Sequence, residues 1–179
     1  KKICEDIIDH WAKIYKFNYV SLRLFNVYGV RSRTNSAYGA ALGVFLKQKL
    51  SKKPFTIVGT GNQKRDFIYV TDVCEAFYKS IERNISNEIL NIGSGNPKSV
   101  NHLVSLIKGQ KIYIKKRPGE PFITHANIAK AKKYLNWKPI VNLDSGIKLV
   151  LNDISYWKNA PLWDEKKIAD ATKEWFKYL

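Results

Sequence analysis

The sequence predicts an α/β fold, and three observations predict it. Short runs of β-forming residues alternate with segments of helical periodicity along the chain, and no repeat or low-complexity tract interrupts them. Of 179 residues, 45% are hydrophobic and 13% aromatic, enough for a packed core. The first segment, "KKICEDIIDHWAKIYK", places Ile3, Ile7, Trp11 and Ile14 on one stripe of a helix. No capping residue precedes it and the chain contains no methionine, so we expect a piece of a longer protein. In "NYVSLRLFNVYG", Val20, Leu22 and Leu24 alternate with Ser21, Arg23 and Phe25, which predicts a strand over 19–25 ending at Asn26. The polar loop "GVRSRTNSAYG" leads to a helix over 40–50. Strands at 55–58 and 66–70 then flank the turn "GTGNQK".

Thr71 is placed to cap a helix whose inner face is Val73, Ala76, Phe77 and Ile81. "EILNIGSGN" reads as a strand ending in a glycine turn. Ser99 caps the next helix, with Val100, Leu103, Val104 and Ile107 inward. "KIYI" is a short strand and "RPGEP" a rigid extended segment. Helices follow over 128–135 and 144–157. A last one in the tail aligns Ile168, Ala171, Trp175 and Leu179.

The formal charge of +16 calls for anionic partners. The lysines are scattered, as on a solvated surface, and the densest group, 108–117, holds five cations but only one aromatic, Tyr113. That is a poor base-stacking platform, so nucleic acid is a weak reading. No apolar run approaches the roughly 18 residues of a membrane span, so no membrane partner is expected. Cys4 and Cys74 have neither the number nor the spacing of a disulfide framework or zinc site, which fits a reducing, cytoplasmic setting. His10, His102 and His125 show no metal-ligand spacing, and no metal is expected.

Four local signals carry the chemistry: Lys1 with Glu5 at the start of the first helix, "RLFNVYG", "GTGNQKRDFIYVTD" and "RPGE". The glycine turn is not a P-loop, because no Lys-Ser/Thr pair opens a helix after it. In order and spacing the four signals resemble the C-terminal half of the extended short-chain dehydrogenase/reductases, the NAD-dependent nucleotide-sugar epimerases and dehydratases. Lys1 and Glu5 match the end of Tyr-x-x-x-Lys-x-x-x-Glu, and Arg23-Leu24-Phe25-Asn26 matches Arg-x-Phe-Asn. Gly59, Gly61, Arg65, Asp66, Val70 and Asp72 fit Gly-x-Gly-x-x-x-Arg-Asp-(Phe/Tyr)-x-x-Val-x-Asp. Arg117-Pro118-Gly119-Glu120 and "ANIAKAKKYLNWKP" fit the two closing motifs, so the likeness spans essentially the whole chain. Val30 stands where the family has proline, Glu120 and Asn127 where it has aspartate, and Asn136 where it has glycine. Asn127 can still cap a helix, and asparagine tolerates a left-handed C-cap.

The resemblance implies the C-terminal part of a Rossmann-type NAD(P)-binding fold, over 1–28 and 71–94. It also implies a mixed α/β substrate domain, over 29–70 and 95–179. Lys1 becomes the catalytic lysine that lowers the pKa of a tyrosine one helical turn earlier and contacts the nicotinamide ribose. Leu24 and Phe25 flank the nicotinamide of NAD, with NADP not excluded. Asn26 donates to the sugar or phosphate, and Arg65 and Arg117 converge on the pyrophosphate. Glu120 accepts from ribose hydroxyls, and the backbone of Thr56 and Val58 meets the base. Asp66 anchors its turn, Asp72 favours its helix N-terminus, and Trp137 is a packing anchor. The glycine fingerprint, ribose-reading acid, catalytic Ser/Thr and tyrosine of the family precede Lys1, so the chain alone is expected to be inactive and to bind NAD poorly. Its opening helix and first strand are then expected to show apolar faces, or to cover them with a second copy in a homodimer. The implied parent is a nucleotide-sugar 4-epimerase acting on a UDP-sugar or another nucleotide-sugar. A 4,6-dehydratase or decarboxylase is the alternative within the family. A non-catalytic sugar-nucleotide-binding or nucleic-acid-binding module is the alternative outside it.

Overall fold

The structure is a computed structural model in which residues 1–32 and 41–178 are described. Most of the polar loop after Gly29 and the last residue of the tail stripe, Leu179, therefore lie outside the described residues. Helix α1 (Lys2–Tyr15) carries the ion pairs Lys2–Asp6 and Asp9–Lys13 one turn apart and ends at Lys16 in the left-handed region, φ 56°. Strand β1 (Val20–Leu24) follows. The chain then kinks: Val27 N–H donates to Phe25 C=O at 2.8 Å, a three-residue turn centred on Asn26. Asn26 therefore does not end a strand, as the sequence had it. It opens a second one, β2 (Asn26–Tyr28).

Helix α2 (Ala41–Leu50) leads to β3 (Phe55–Val58). The run read as one strand over 66–70 is two pieces, β4 (Lys64–Arg65) and β5 (Phe67–Tyr69), with Asp66 fully buried between them. Helix α3 (Val70–Glu82) starts two residues early, with Tyr69 at its N-cap, so Thr71 caps nothing. Its Val73 and Ala76 are buried as predicted, but Phe77 is 49% and Ile81 81% exposed. Strand β6 (Glu88–Ile92), the two-residue β7 (Lys98–Ser99) and α4 (Val100–Ile107) follow. The Ser99 hydroxyl accepts from His102 N–H, and all four predicted inward residues of α4 are buried.

Strand β8 (Lys111–Ile114) precedes α5 (Ala129–Leu135), whose C-cap Asn136 is left-handed at φ 49°, as its place in the motif required. Asn127 Oδ1 accepts from Ala129 N–H at 3.1 Å, although the N-cap position itself falls to Ile128. The helix predicted over 144–157 breaks at Asp153. Helix α6 (Leu143–Asn152) is capped by Asn142, and a 3₁₀ turn (Ile154–Asn159) completes the run. In α7 (Glu165–Tyr178) Ile168 and Thr172 are buried and Ala171 is exposed, and the Trp175 side chain of the expected stripe lies outside the described residues. Among the described residues no helix is long and apolar enough to cross a membrane.

The strands pair two by two. β1 runs parallel to β6, β2 to β5 and β3 to β8, and β4 is antiparallel to β7. Two hydrophobic clusters result. One gathers α2, β3, α4 and α6 around Phe45, Phe55, Ile57, Leu103 and Trp157. The other packs Leu90 and Ile92 of β6 against Val73, Ala76, Ala131, Leu135 and Trp137 from α3, α5 and the turn after α5. Each aliphatic side chain fully buried in these clusters contributes about 1.5–3 kcal/mol relative to exposure. The indole N–H of Trp137 donates to Asp72 C=O at 2.9 Å, so this packing anchor is also satisfied as a donor.

Candidate functional site

Residues of β2, β3 and α2, together with the segments around Arg65 and Arg117, enclose a cleft of about 310 Å³. Asn26, Thr56, Val58, Arg65, Arg117 and Glu120 all line it, brought together from four separate stretches of chain. Its apolar wall comes from Leu42 and Phe45 of α2, and Ile168 of α7 contributes to its rim. Lys1, Leu24 and Phe25 do not line this cleft. They lie on the α1/β1 side, with Lys1 exposed at the start of its helix and Leu24 exposed at the end of its strand.

Arg65 is held rather than free to search. Nη1 donates to Lys64 C=O at 2.9 Å and Pro121 C=O at 2.8 Å, and Nη2 donates to Glu120 Oε1 at 2.6 Å. The pair is largely shielded, at 13% and 24% side-chain exposure. Among the described residues no hydrogen bond engages Nε–H, the second Nη2–H or the other carboxylate oxygen of Glu120. The arrangement offers a preorganised donor pair and an acceptor side by side, chemistry that suits a phosphate next to a hydroxyl-bearing ring. Sequence reading assigned these two residues separate partners and missed that they bind each other.

The turn "GTGNQK" reaches the cleft because Gly59 and Gly61 take positive φ values of 61° and 72°, which let the chain double back after β3. Gln63 of that turn donates through Nε2 to Val58 C=O at 2.8 Å. On the other side of β3, Gln48 is 1% exposed. Its Oε1 accepts from Thr56 N–H at 3.2 Å, and its Nε2 donates to Thr56 Oγ1 at 2.8 Å and Trp163 C=O at 2.6 Å. Neither glutamine was singled out from sequence. The signal for Gln48 was present, as a lone amide on the apolar side of α2, three residues after Phe45.

Asp66 is the knot beneath the site. Its carboxylate accepts from Ser94 N–H and Oγ–H, Gly95 N–H and Ala126 N–H, at 2.5 to 3.0 Å, and its C=O accepts from Asn26 N–H at 3.0 Å. It therefore anchors far more than its own turn. Asn26 Oδ1 in turn accepts from Thr124 Oγ1 at 3.4 Å. Gly93 belongs to the same knot, since any Cβ there would collide with Ala126 and Asp66.

On the α1/β1 side, Arg23 forks onto Glu5 through Nε at 2.7 Å and Nη2 at 2.5 Å. The guanidinium holds the Glu5 carboxyl below its ordinary value. This strut fixes the helix that begins at Lys1 against the strand that ends at Leu24. Tyr28, buried under α6, has its hydroxyl pushed up by burial. Among the described residues no His, Cys, Asp and Glu cluster could hold a metal.

The sequence pattern of the NAD dependent epimerase/dehydratase family matches residues 1–93, more than half of the chain. The chain belongs to that family. A Methanocaldococcus jannaschii protein provisionally named a UDP-glucose 4-epimerase is 39% identical over 158 residues, covering 85% of this epimerase/dehydratase chain and 50% of its own length. Two solved structures superpose well. The UDP-glucose 4-epimerase of Thermotoga maritima with UDP-glucose has a TM-score of 0.78 at 31% identity, over 88% of this chain and 52% of that one. The UDP-glucuronic acid 4-epimerase of Bacillus cereus with UDP-glucuronic acid and NAD has 0.74 at 33%, over 86% and 49%. The chain thus spans about half the length of the relatives it matches. Its fold is the C-terminal part of the family's Rossmann-type unit joined to a mixed α/β lobe.

Proposed function

We propose that this chain is the nucleotide-sugar-binding part of an NAD-dependent nucleotide-sugar 4-epimerase. The observation that carries the reading is the convergence of Arg65, Arg117, Glu120 and Asn26 on the cleft beside β3. A UDP-sugar would set its base against the edge of β3, its ribose hydroxyls against Glu120 and its pyrophosphate against Arg65 and Arg117. Asn26 would then donate to the phosphate or the sugar. We divide the chain accordingly, with 1–28 and 71–94 as the Rossmann remnant and 29–70 and 95–179 as the substrate lobe.

NAD, when bound by the complete protein, supplies reversible oxidation at the sugar C4. Lys1, Leu24 and Phe25 fit one flank of its site, because the Glu5–Arg23 fork holds the Lys1 helix against the strand that presents Leu24. Lys1 would act by lowering the pKa of a catalytic tyrosine. A 4,6-dehydratase or decarboxylase would use the same cleft and the same first oxidation. The stripe Ile3, Ile7, Trp11 and Ile14 on α1 is read as a homodimer contact, and the two exposed, unpaired cysteines fit a reducing cytoplasm.

Calorimetric titration of the chain with UDP tests the reading. Arg65→Ala and Arg117→Ala should each weaken UDP binding roughly tenfold to a hundredfold, as expected for lost hydrogen bonds to a charged group. Absence of UDP binding, with salt-dependent binding to generic duplex DNA in its place, would favour a basic nucleic-acid module instead.

A further inference from the structure

We infer that the groove between β8 and α7 is a second binding site, that it takes an alkyl phosphate, and that it shares Arg117 with the cleft. The groove encloses about 320 Å³, at the lower end of the roughly 300–1,000 Å³ of small-molecule pockets. Its residues from α7 recur at spacings of three and four, so one helix face lies across Ile114 at the end of β8. Ile114, Ile168, Ala169 and the Phe176 ring give it an apolar floor. Thr172 adds no polar demand there, because its hydroxyl donates back to Ile168 C=O at 2.8 Å.

The mouth of the groove is cationic. Lys115 and Lys173 are exposed there and Arg117 is half-buried, with Glu165 the one carboxylate among the described lining residues. Lys115 Nζ lies 4.9 Å from the centroid of the Phe176 ring, which keeps its ammonium beside the apolar floor. Three cations against one carboxylate leave two positive charges for a ligand to match. A phosphate monoester carries about −1.5 to −2 at neutral pH, where a fatty carboxylate carries a single charge. A guanidinium also grips phosphate oxygens in pairs. The floor asks for a short hydrocarbon chain on that head, and it rejects a sugar, whose hydroxyls it would leave unpaired. Arg117 and Ile168 line the cleft as well as the groove. Two anions on either side of one guanidinium repel each other, so filling the groove lowers the affinity of the cleft for a diphosphate. The reverse holds by the same factor. This coupling rests on reading the cleft as a nucleoside diphosphate site, whereas the groove's own ligand does not.

Calorimetry on the full chain with inorganic phosphate, butyl phosphate and hexyl phosphate tests the site. Each buried methylene should tighten binding about fourfold, so hexyl phosphate should bind roughly tenfold tighter than butyl phosphate, and inorganic phosphate weakest of all. Ala169→Trp fills the groove from an exposed helix position, and Lys173→Glu reverses a charge at its mouth. Each should weaken hexyl phosphate roughly tenfold while UDP binding persists. Arg65→Ala should do the opposite, weakening UDP and sparing hexyl phosphate. Saturating hexyl phosphate should lower UDP affinity roughly fivefold or more. No gain from butyl to hexyl phosphate would overturn the site. Hexyl phosphate lost in Arg65→Ala but kept in Ala169→Trp would overturn it too, by placing the ligand in the cleft. No hexyl phosphate binding, with Lys173→Glu changing the sedimentation of the chain, would give the groove to a second copy instead. UDP affinity indifferent to hexyl phosphate would overturn the shared arginine. A chain that binds hexyl phosphate but no UDP would keep the groove site and remove the reading of the cleft.

Discussion

The cleft lobe and the α1/β1 side of the molecule are built on opposite terms. Residues 41–65 and 95–119, which supply α2, β3, β4, β7, α4 and β8, carry Lys or Arg at twelve positions and no Asp or Glu. Most of the chain's net +16 therefore sits in the lobe that frames the cleft, although along the sequence those lysines look scattered. This lobe closes its own core around Phe55, Ile57 and Leu103. The α1/β1 side is the reverse: carboxylates in ion pairs, and a helix whose apolar stripe faces outward, with Ile3 73% exposed. The cleft lobe packs from its own elements while a helix face of α1 stays uncovered, since the first is local and the second needs neighbours.

The sharpest way to break this contrast is to truncate equivalent side chains on the two sides. Leu103→Ala, in the closed core, should cost about 2–5 kcal/mol from lost burial and the cavity left behind. Ile7→Ala, on the exposed stripe, should stay within about 0.5 kcal/mol, as surface substitutions do. Urea unfolding of both variants measures this. A large loss at Ile7 would mean that the stripe is covered within the monomer.

Where local chemistry decides, the sequence was legible. Ser99 caps α4, Asn136 turns left-handed at the end of α5, and the apolar face of α4 is buried residue for residue. Periodicity failed at Phe77 and Ile81 for a specific reason: it reports which face would be buried, and nothing among the described residues covers that face. The break at Asn26 depends on a hydrogen bond to Asp66 C=O, forty positions away in sequence, which no local pattern encodes. Around the cleft, motif spacing pointed to Arg65 and Glu120, but their mutual ion pair joins residues that only the fold makes neighbours. Gln48 and Gln63 escaped notice because amides match no catalytic pattern, and their work is done on backbone groups.

The outward stripe of α1 sharpens the comparison next. If a second copy covers it, Trp11→Glu should weaken dimerisation roughly thirtyfold or more, as loss of a central tryptophan does, without changing monomer stability. Sedimentation velocity over a concentration series would show this. A chain that stays monomeric at every concentration would remove the dimer reading of this face and leave the cleft lobe untouched.

The smallest effect is the most selective, because it follows from where the acids are. Hydrogen bonds from Arg23, Lys13 and Lys130 hold Glu5, Asp9 and Glu88 below their ordinary values of 4.5, 3.8 and 4.5. A carboxylate whose pKa is lower in the folded state stabilises that state fully above its unfolded value and loses the contribution as pH falls through the folded one. All three lie on α1 or β6, and the twelve-cation segments contain no group that titrates this way. Acidification from neutrality to below 4.5 should therefore loosen α1, β1 and β6 first. Amide spectra recorded across that range should lose β1 and β6 signals while β3 and β8 persist, and high salt should blunt the contribution of the open Lys13–Asp9 pair most, because the Glu5 and Glu88 side chains are only 11% and 21% exposed. Simultaneous loss of both strand pairs would mean that the two sides unfold as one unit, with the knot at Asp66 transmitting the change between them.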